Sequence, residues 1–224
     1  LVLITGSAGS GKSTTLACMI DAVNSSRNTH IITIEDPIEF LHQHKKSIVT
    51  QREISMDTQS YDVALRAALR ESPDIILLGE MRDAETIRAA VTAAETGHLV
   101  ISTLHTMGAV SSIDRIIDAF PPEQQYQIRT QLAQTLEGVV SQQLLPASDG
   151  RQLPAFEIMT VTSAVRNMIR EGKTHQLDAA IASDGTMQSM DQCILALVRS
   201  GQVDRTTALA HAINPDWLTR RLEG

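Results

Sequence analysis

Cysteine, lysine, aromatic side chains and long apolar runs are all scarce in this 224-residue chain, and each shortage removes a class of protein. The two cysteines, Cys18 and Cys193, are too few for a disulfide scaffold or a four-cysteine zinc element, which points to a reducing compartment. Six aromatic residues and a formal charge of -7 argue against a basic, stacking-lined channel for nucleic acid. The only lysines are Lys12, Lys45, Lys46 and Lys173, so the other 15 basic residues are arginines, suited to bidentate phosphate or carboxylate contacts. No apolar run approaches the roughly 20 residues of a membrane span, and no segment resembles a cleavable signal. What is present suits a cytoplasmic globular protein: 42% hydrophobic and 20% charged residues, at a length that builds one sizeable core or a large domain with a small appendage. The first residue is Leu1 rather than methionine, and Leu1–Thr5 already reads as a buried strand. An N-terminal part is therefore expected to be missing.

Short apolar runs alternate with longer helical patterns. LVLIT (1–5), Ile31–Ile34, DIILL (74–78) and LVIST (99–103) read as strands buried on both faces. Between them lie candidate helices over Ser13–Val23, Tyr61–Arg70 behind Ser60, and Ala84–Thr96 capped by Asp83 and stopped by Gly97. The alternation predicts an α/β fold with a mostly parallel, doubly wound sheet. After Pro121-Pro122 a Gln-rich helix is expected over Glu123–Glu137. Val139–Leu145 and Ala155–Thr160 flank an Ala-Ser-Asp-Gly turn and read as a hairpin or edge strands. From Thr162 the pattern is helical, with breaks at Gly172, Gly185 and Gly201, so a soft boundary falls near residue 160. Met190–Gly201 is amphipathic enough to be core or a docking face, and Trp217 lies near Arg220-Arg221.

Gly6-Ser7-Ala8-Gly9-Ser10-Gly11-Lys12-Ser13, followed by Thr14, matches G-x-x-x-x-G-K-[ST] between a strand and a helix. The glycines let backbone N–H groups curl round a phosphate, and the helix N-terminus adds partial positive charge. Lys12 is expected to reach the β- and γ-phosphates of ATP, and the Ser13 hydroxyl to bind Mg²⁺.

Hydrolysis needs further acids. Glu80 follows the strand at Asp74–Leu78, and Glu35-Asp36-Pro37-Ile38-Glu39 follows the strand at Ile31–Ile34. Both stand at carboxyl ends of buried strands, where open α/β sheets place ligands. Pro37 fixes the turn that would hold Glu39 at a set distance. His98 and His105 bracket the strand at 99–103. They occupy its opposite ends and opposite faces of its pleat, which disfavours a shared metal ion.

In order, GSAGSGKST, TIEDPIEF, QRE, ALRESPDIILLGEMRD and AAETGHLVISTLHT resemble the secretion-ATPase superfamily, with its Walker A, Asp box, atypical Walker B ending in Glu, and His box. Within it the chain is similar to the PilT family of type IV pilus retraction ATPases, near-contiguously to about Ile169 and more loosely beyond. Ala164–Glu171 (AVRNMIRE) looks like that family's AIRNLIRE motif, which is associated with retraction rather than hydrolysis. The resemblance implies a RecA-like P-loop core at 1–160, a C-terminal helical region at 161–224, and an N-terminal PAS-like domain absent from this sequence. It makes Lys12 and Ser13 the Walker A residues, Glu39 the glutamate that polarises the attacking water, and Glu80 the Mg²⁺-side glutamate. His98 and His105 become the His-box pair. Arg66, Arg70, Arg82 and Arg88 are candidates for an arginine that meets the transition-state charge, and Arg82 is chosen among them.

The implied function is an ATP-hydrolysing homo-hexameric motor at the inner face of the bacterial inner membrane. It would act on a membrane-embedded pilus platform protein to depolymerise pilin, with a paralogous retraction ATPase as a further partner. Membrane association would come only through partners, and no nucleic acid is expected. Three alternatives stand beside it: a pilus-assembly or type II secretion ATPase, disfavoured by the missing cysteines; a RecA-like nucleic-acid motor, disfavoured by charge; and a non-catalytic nucleotide switch, disfavoured by the pair Glu39 and Glu80.

Overall fold

Strand β1 (Val2–Thr5) is four residues long, yet it lies in the middle of the sheet and carries the glycine loop at its end. Around it run β2 (His30–Glu35), β3 (Ile48–Glu53), β4 (Ile75–Leu78), β5 (Leu99–Leu104) and β6 (Gly138–Pro146), all parallel, and β7 (Gln152–Thr160), antiparallel to β6. The spatial order is β3-β2-β4-β5-β1-β6-β7 in this computed structural model, which describes residues 1–223.

Among the described residues there are ten α-helices: α1 (Lys12–Ser26), α2 (Tyr61–Ala68), α3 (Ala84–Glu95), α4 (Ala109–Asp118), α5 (Pro122–Thr135), α6 (Ser163–Arg170), α7 (Leu177–Ser183), α8 (Met190–Arg199), α9 (Arg205–His211) and α10 (Pro215–Glu223). Their starts follow from short polar side chains that accept from first-turn N–H groups. Ser60 Oγ accepts from Val63 N at 3.3 Å, and Asp83 Oδ1 from Thr86 N at 2.8 Å. Such caps contribute about 1 kcal/mol each.

The sheet is wound on both faces, but unequally. Successive strand residues point to opposite faces. Leu3, Ile32, Ile34, Ile76, Leu78 and Val100 join one core with α2 through α7, whereas Ile4, Ile31, Ile75, Leu77 and Ile101 meet only α1, through Leu16 and Ile20. Helices α6 and α7 add Val165, Ile169, Leu177 and Ile181 to the larger core. A third cluster packs Met190, Ile194, Val203, Ala208 and Leu218 of the C-terminal helices against Leu145 and Ala155 at the far end of the β6–β7 hairpin. The amphipathic stretch after Met190 is thus core on its apolar side. Trp217 lies under the Arg221 guanidinium, 5.6 Å from the ring centre.

Two elements have no counterpart in the sequence reading. Strand β3 is an edge strand whose Thr50, Gln51, Arg52 and Glu53 are half-buried, so it lacks the continuous apolar signature of the inner strands. Helix α4 opens with Gly108 and carries Ser111 and Ser112, weak helix formers, while Ile113, Ile116 and Ile117 supply a buried stripe.

Because α1 alone covers the second face, Ile20, which is fully buried, carries a large part of that contact. Ile20→Ala is expected to lower stability by ~2–5 kcal/mol in urea unfolding followed by circular dichroism.

Candidate functional site

Four parallel strands end at one edge of the sheet, and each delivers a different chemical group. β1 leads into the glycine loop, β2 into Glu35–Glu39, β4 into Gly79-Glu80 and β5 into His105. Ser13, Glu35, Asp36, Glu39, Tyr61, Glu80, Arg82 and His105 line the resulting cleft of about 230 Å³.

The loop is wedged against β6. Gly6 has φ +146° and a Cβ there would collide with the Gln142 carbonyl; Gly11 has φ +87° and a Cβ there would stand 2.8 Å from Gln142 Nε2. Thr15 Oγ1 donates to Gln142 Oε1 at 2.7 Å, tying the first turn of α1 to the same side chain. At Gly9, by contrast, a Cβ would meet nothing within 4 Å, so the outer side of the loop is open. Ser10 Oγ is buried without a partner. Orphan N–H groups at the start of α1, a partnerless hydroxyl and an open concavity together fit a phosphate group.

Lys12 is 8% exposed, and its Nζ donates to the carbonyls of Gly6 and Ser7 at 2.8 Å each. Burial pulls its ammonium below the usual lysine range, and the carboxylates of Glu80 and then Glu39 partly offset that. The side chain is thus held at the mouth of the loop with both acids in electrostatic reach.

Glu80 is the most engaged acid. Its Oε2 accepts from Arg82 Nε at 2.7 Å, and its Oε1 lies 3.3 Å from His105 Nε2. Arg82 also stands 3.8 Å from Asp36 Oδ2, which links the β4 and β2 turns. The turn bearing Glu80 is pinned to β5, since Ser102 Oγ donates to the Leu78 carbonyl at 2.8 Å and Thr103 Oγ1 to that of Gly79. The hydroxyl of Tyr61 is pushed up to about 12, first by burial and then by Asp36, Glu80 and Glu35, against the opposing charge of Arg82.

Glu39 is exposed on the loop after β2, and among the described residues its carboxylate accepts no hydrogen bond. The loop itself is braced by the edge strand. Glu53 Oε2 accepts from Ile38 N at 2.9 Å, Gln51 Oε1 accepts from His42 N at 2.8 Å, and Gln51 Nε2 donates to the Phe40 carbonyl at 2.9 Å. The acid is free while its backbone is held.

The structure thus brings together the loop 6–14, Glu39, Glu80, Arg82 and His105. It does not bring His98. That residue precedes β5 at the opposite edge of the sheet, where its Nδ1 lies 3.1 Å from the Ala93 carbonyl and from Thr96 Oγ1. The six residues of β5 separate the two histidines, so the expectation of His98 as a catalytic group is corrected for this cleft. Among the four arginines, Arg66 pairs with Asp62 on its own helix, Arg88 lies over the Phe120 ring, and only Arg82 lines the cleft. Gln142 and Tyr61 were not foreseen. A glutamine inside a β-strand carries no sequence signal of its partner, and Tyr61 reads as an ordinary first-turn aromatic. No group of three or more His, Cys, Asp or Glu side chains among the described residues is arranged to hold a metal ion. A divalent cation here would rest on substrate phosphates with Ser13 and Glu80, the usual arrangement for Mg²⁺.

Residues 1–209 match the family model described as Type II/IV secretion system protein. The chain belongs to that family. Over 96% of its length it is 52% identical to the type IV pilus retractation ATPase PilT of Pseudomonas aeruginosa and 50% identical to a twitching motility protein of Neisseria gonorrhoeae. A crystal structure of the pilus retraction motor PilT with bound ADP superposes over 98% of the chain with a TM-score of 0.92 at 49% identity. The chain spans 63%, 59% and 63% of those three proteins. The family membership accords with the RecA-like P-loop architecture seen here.

Gly11→Ala is expected to destabilise the fold by ~1–3 kcal/mol, from the left-handed backbone and the Gln142 clash together. The penalty should shrink in a Gln142→Ala background, where only the backbone strain remains; urea unfolding of the two singles and the double measures both.

Proposed function

We infer that this chain is the ATP-hydrolysing part of a type IV pilus retraction motor. The observation that carries the reading is the convergence of an open phosphate loop, the Glu80–Arg82–His105 cluster and the braced Glu39 loop at one sheet edge. The chain that carries it is half identical, over nearly its whole length, to proteins named as a pilus retractation ATPase and a twitching motility protein.

In this scheme the N–H groups of residues 8–14 and the Lys12 ammonium hold the β- and γ-phosphates, and Lys12 exchanges its contacts with the Gly6 and Ser7 carbonyls for phosphate oxygens. Ser13 and Glu80 hold Mg²⁺, whose charge offsets that of the phosphate oxygens. Arg82 and His105 each engage one oxygen of Glu80 and fix its orientation. Glu39, unpaired and on a braced loop, orients the water that attacks the γ-phosphorus and takes up its proton, while the bond from the γ-phosphorus to the β–γ bridging oxygen breaks and ADP leaves. His98 has no part in this cleft.

The wider reading extends the resemblance. Residues 1–160 act as the motor core and 161–224 as a helical region bearing the AIRNLIRE-like segment. That segment coincides with α6, whose Val165 and Ile169 are buried while Ala164, Asn167 and Arg170 face outward. The working assembly is a homo-hexamer with an N-terminal PAS-like domain, acting at the cytoplasmic face of the inner membrane on the pilus platform, together with a paralogous retraction ATPase. No helix among the described residues is long and apolar enough to cross a membrane; attachment through partners belongs to the same proposal. A pilus-assembly role is the second reading, and the cysteine count disfavours it.

Glu39→Gln is expected to leave ATP affinity within about twofold while lowering kcat by on the order of 10²; unchanged turnover in steady-state ATPase assays would remove Glu39 from the chemistry. Lys12→Ala is expected instead to weaken ATP binding at least ~10-fold by calorimetry, because it deletes a charge-assisted phosphate contact. Stimulation of turnover by single-stranded DNA would overturn the pilus reading in favour of a nucleic-acid motor.

A further inference from the structure

Glu157 lies on β7, away from the cleft, and is 8% exposed. An acid so buried is costly unless its oxygens are hydrogen-bonded. Burial pushes its carboxyl above the usual glutamate range, the N–H of Ala109 pulls it back, and Asp178 and Asp191, facing it from α7 and α8, raise it further. Its Oε1 accepts from Ala109 N at 2.8 Å. Next to it, Ser141 Oγ on β6 accepts from Gly108 N at 2.9 Å. Two consecutive backbone N–H groups at the start of α4 are therefore held by two strands of one hairpin. Gly108 has φ +86°, a left-handed bend that brings the chain down onto the hairpin.

Three residues before Gly108 stands His105. The intervening turn is tied to α4 by the 2.7 Å contact between Thr106 Oγ1 and Ser112 Oγ. His105 in turn stands 3.3 Å from Glu80 Oε1. The chain from β7 to the cleft is thus continuous: Glu157 and Ser141, the 108–109 backbone, the 105–108 turn, His105, Glu80.

We propose that Glu157 and Ser141 are positioning residues: by clamping the backbone of 108–109 to the β6–β7 hairpin they set where His105 stands against Glu80. The hairpin that packs against the C-terminal helices is thereby connected to the acid of the cleft. This inference rests on the reading of the cleft as an ATPase site.

A thermodynamic cycle on the full-length protein separates positioning from general destabilisation. Glu157→Ala is expected to lower kcat about tenfold with KM for ATP within about twofold, and Glu157→Gln, which keeps an acceptor oxygen, to recover most of the loss. In a His105→Ala background the further loss from Glu157→Ala is expected to fall below about twofold, since the clamp has nothing left to position. Ser141→Ala removes the second tether with a single oxygen atom and should behave in the same direction with a smaller loss, so it decides the matter if Glu157→Ala fails to fold in a melting assay. Losses that multiply fully in the His105→Ala background, or unaltered kcat in well-folded Glu157→Ala and Ser141→Ala, overturn the proposal. Absence of turnover in the wild type, with ATP bound, would instead strike the ATPase reading. Binding of ATP by the variants, measured by calorimetry, keeps the two failures apart.

Discussion

Everything chemical at the cleft is measured from the carboxyl end of β1, and β1 is fixed because it is sealed on every side. Leu3 and Ile4 are fully buried on opposite faces, and β5 and β6 pair with its two edges in parallel register. A four-residue strand would be negligible alone. Between two neighbours it has no freedom to slide, because a one-residue slip would exchange Leu3 and Ile4 between two differently sized cores. The glycine loop therefore starts from a rigid point, and Gln142 on the adjoining strand limits where it can go next. Glycine is required at 6 because the β6 backbone is that close, whereas at 11 the left-handed backbone favours it and the Gln142 side chain adds to the penalty, so the phosphate cradle is shaped by its neighbour as well as by its own motif.

The electrostatics of the cleft follow from competition around Glu80. Arg82 and His105 approach its two oxygens, Lys12 is close enough to feel its charge, and Asp36 competes for Arg82. Surface ion pairs are worth little individually. Here they carry orientation more than stability, since Arg82 is more than half exposed whereas Glu80 is largely covered. Glu39 escapes this competition. Its loop is held through backbone contacts to Gln51 and Glu53, so its carboxylate is neither paired nor free to wander with the chain. Two acids at one edge are thereby differentiated: one locked among cations, the other left to meet water.

Much of this was legible in the sequence, and the reasons are specific. LVLIT followed by a glycine loop announces a buried strand and a phosphate turn because both signals are local. The inner strands β2, β4 and β5 were readable because parallel strands covered on both faces are apolar throughout. Ser60 and Asp83 were readable because a cap is a local event. What escaped depends on contacts between distant segments. The edge strand β3 carries half-buried polar residues in place of an apolar run, and the value of Gln51 and Glu53 appears only when the loop after β2 folds back on them. Gln142 lies 127 residues from the Thr15 hydroxyl it accepts from. His98 is a different case: the residues alone already put it at the end of the strand opposite His105, and only the family resemblance gave the two a joint role.

The β6–β7 hairpin resolves what would otherwise be an awkward architecture. β1 is closely packed on both faces, and a remote element reaches its surroundings only through neighbouring strands. The hairpin touches both ends of that problem. Its near half meets the glycine loop through Gln142 and the His105 turn through Ser141 and Glu157; its far half packs Leu145 and Ala155 against α8, α9 and α10. An antiparallel pair of nine-residue strands is stiff along its length. The hairpin thus meets two elements of the cleft that also touch each other directly, since Gly6 N donates to the Leu104 carbonyl at 3.3 Å. It holds the cradle through the Gln142 side chain and the turn before α4 through the N–H groups of Gly108 and Ala109, and both sets of contacts come from the half of the hairpin nearest the cleft.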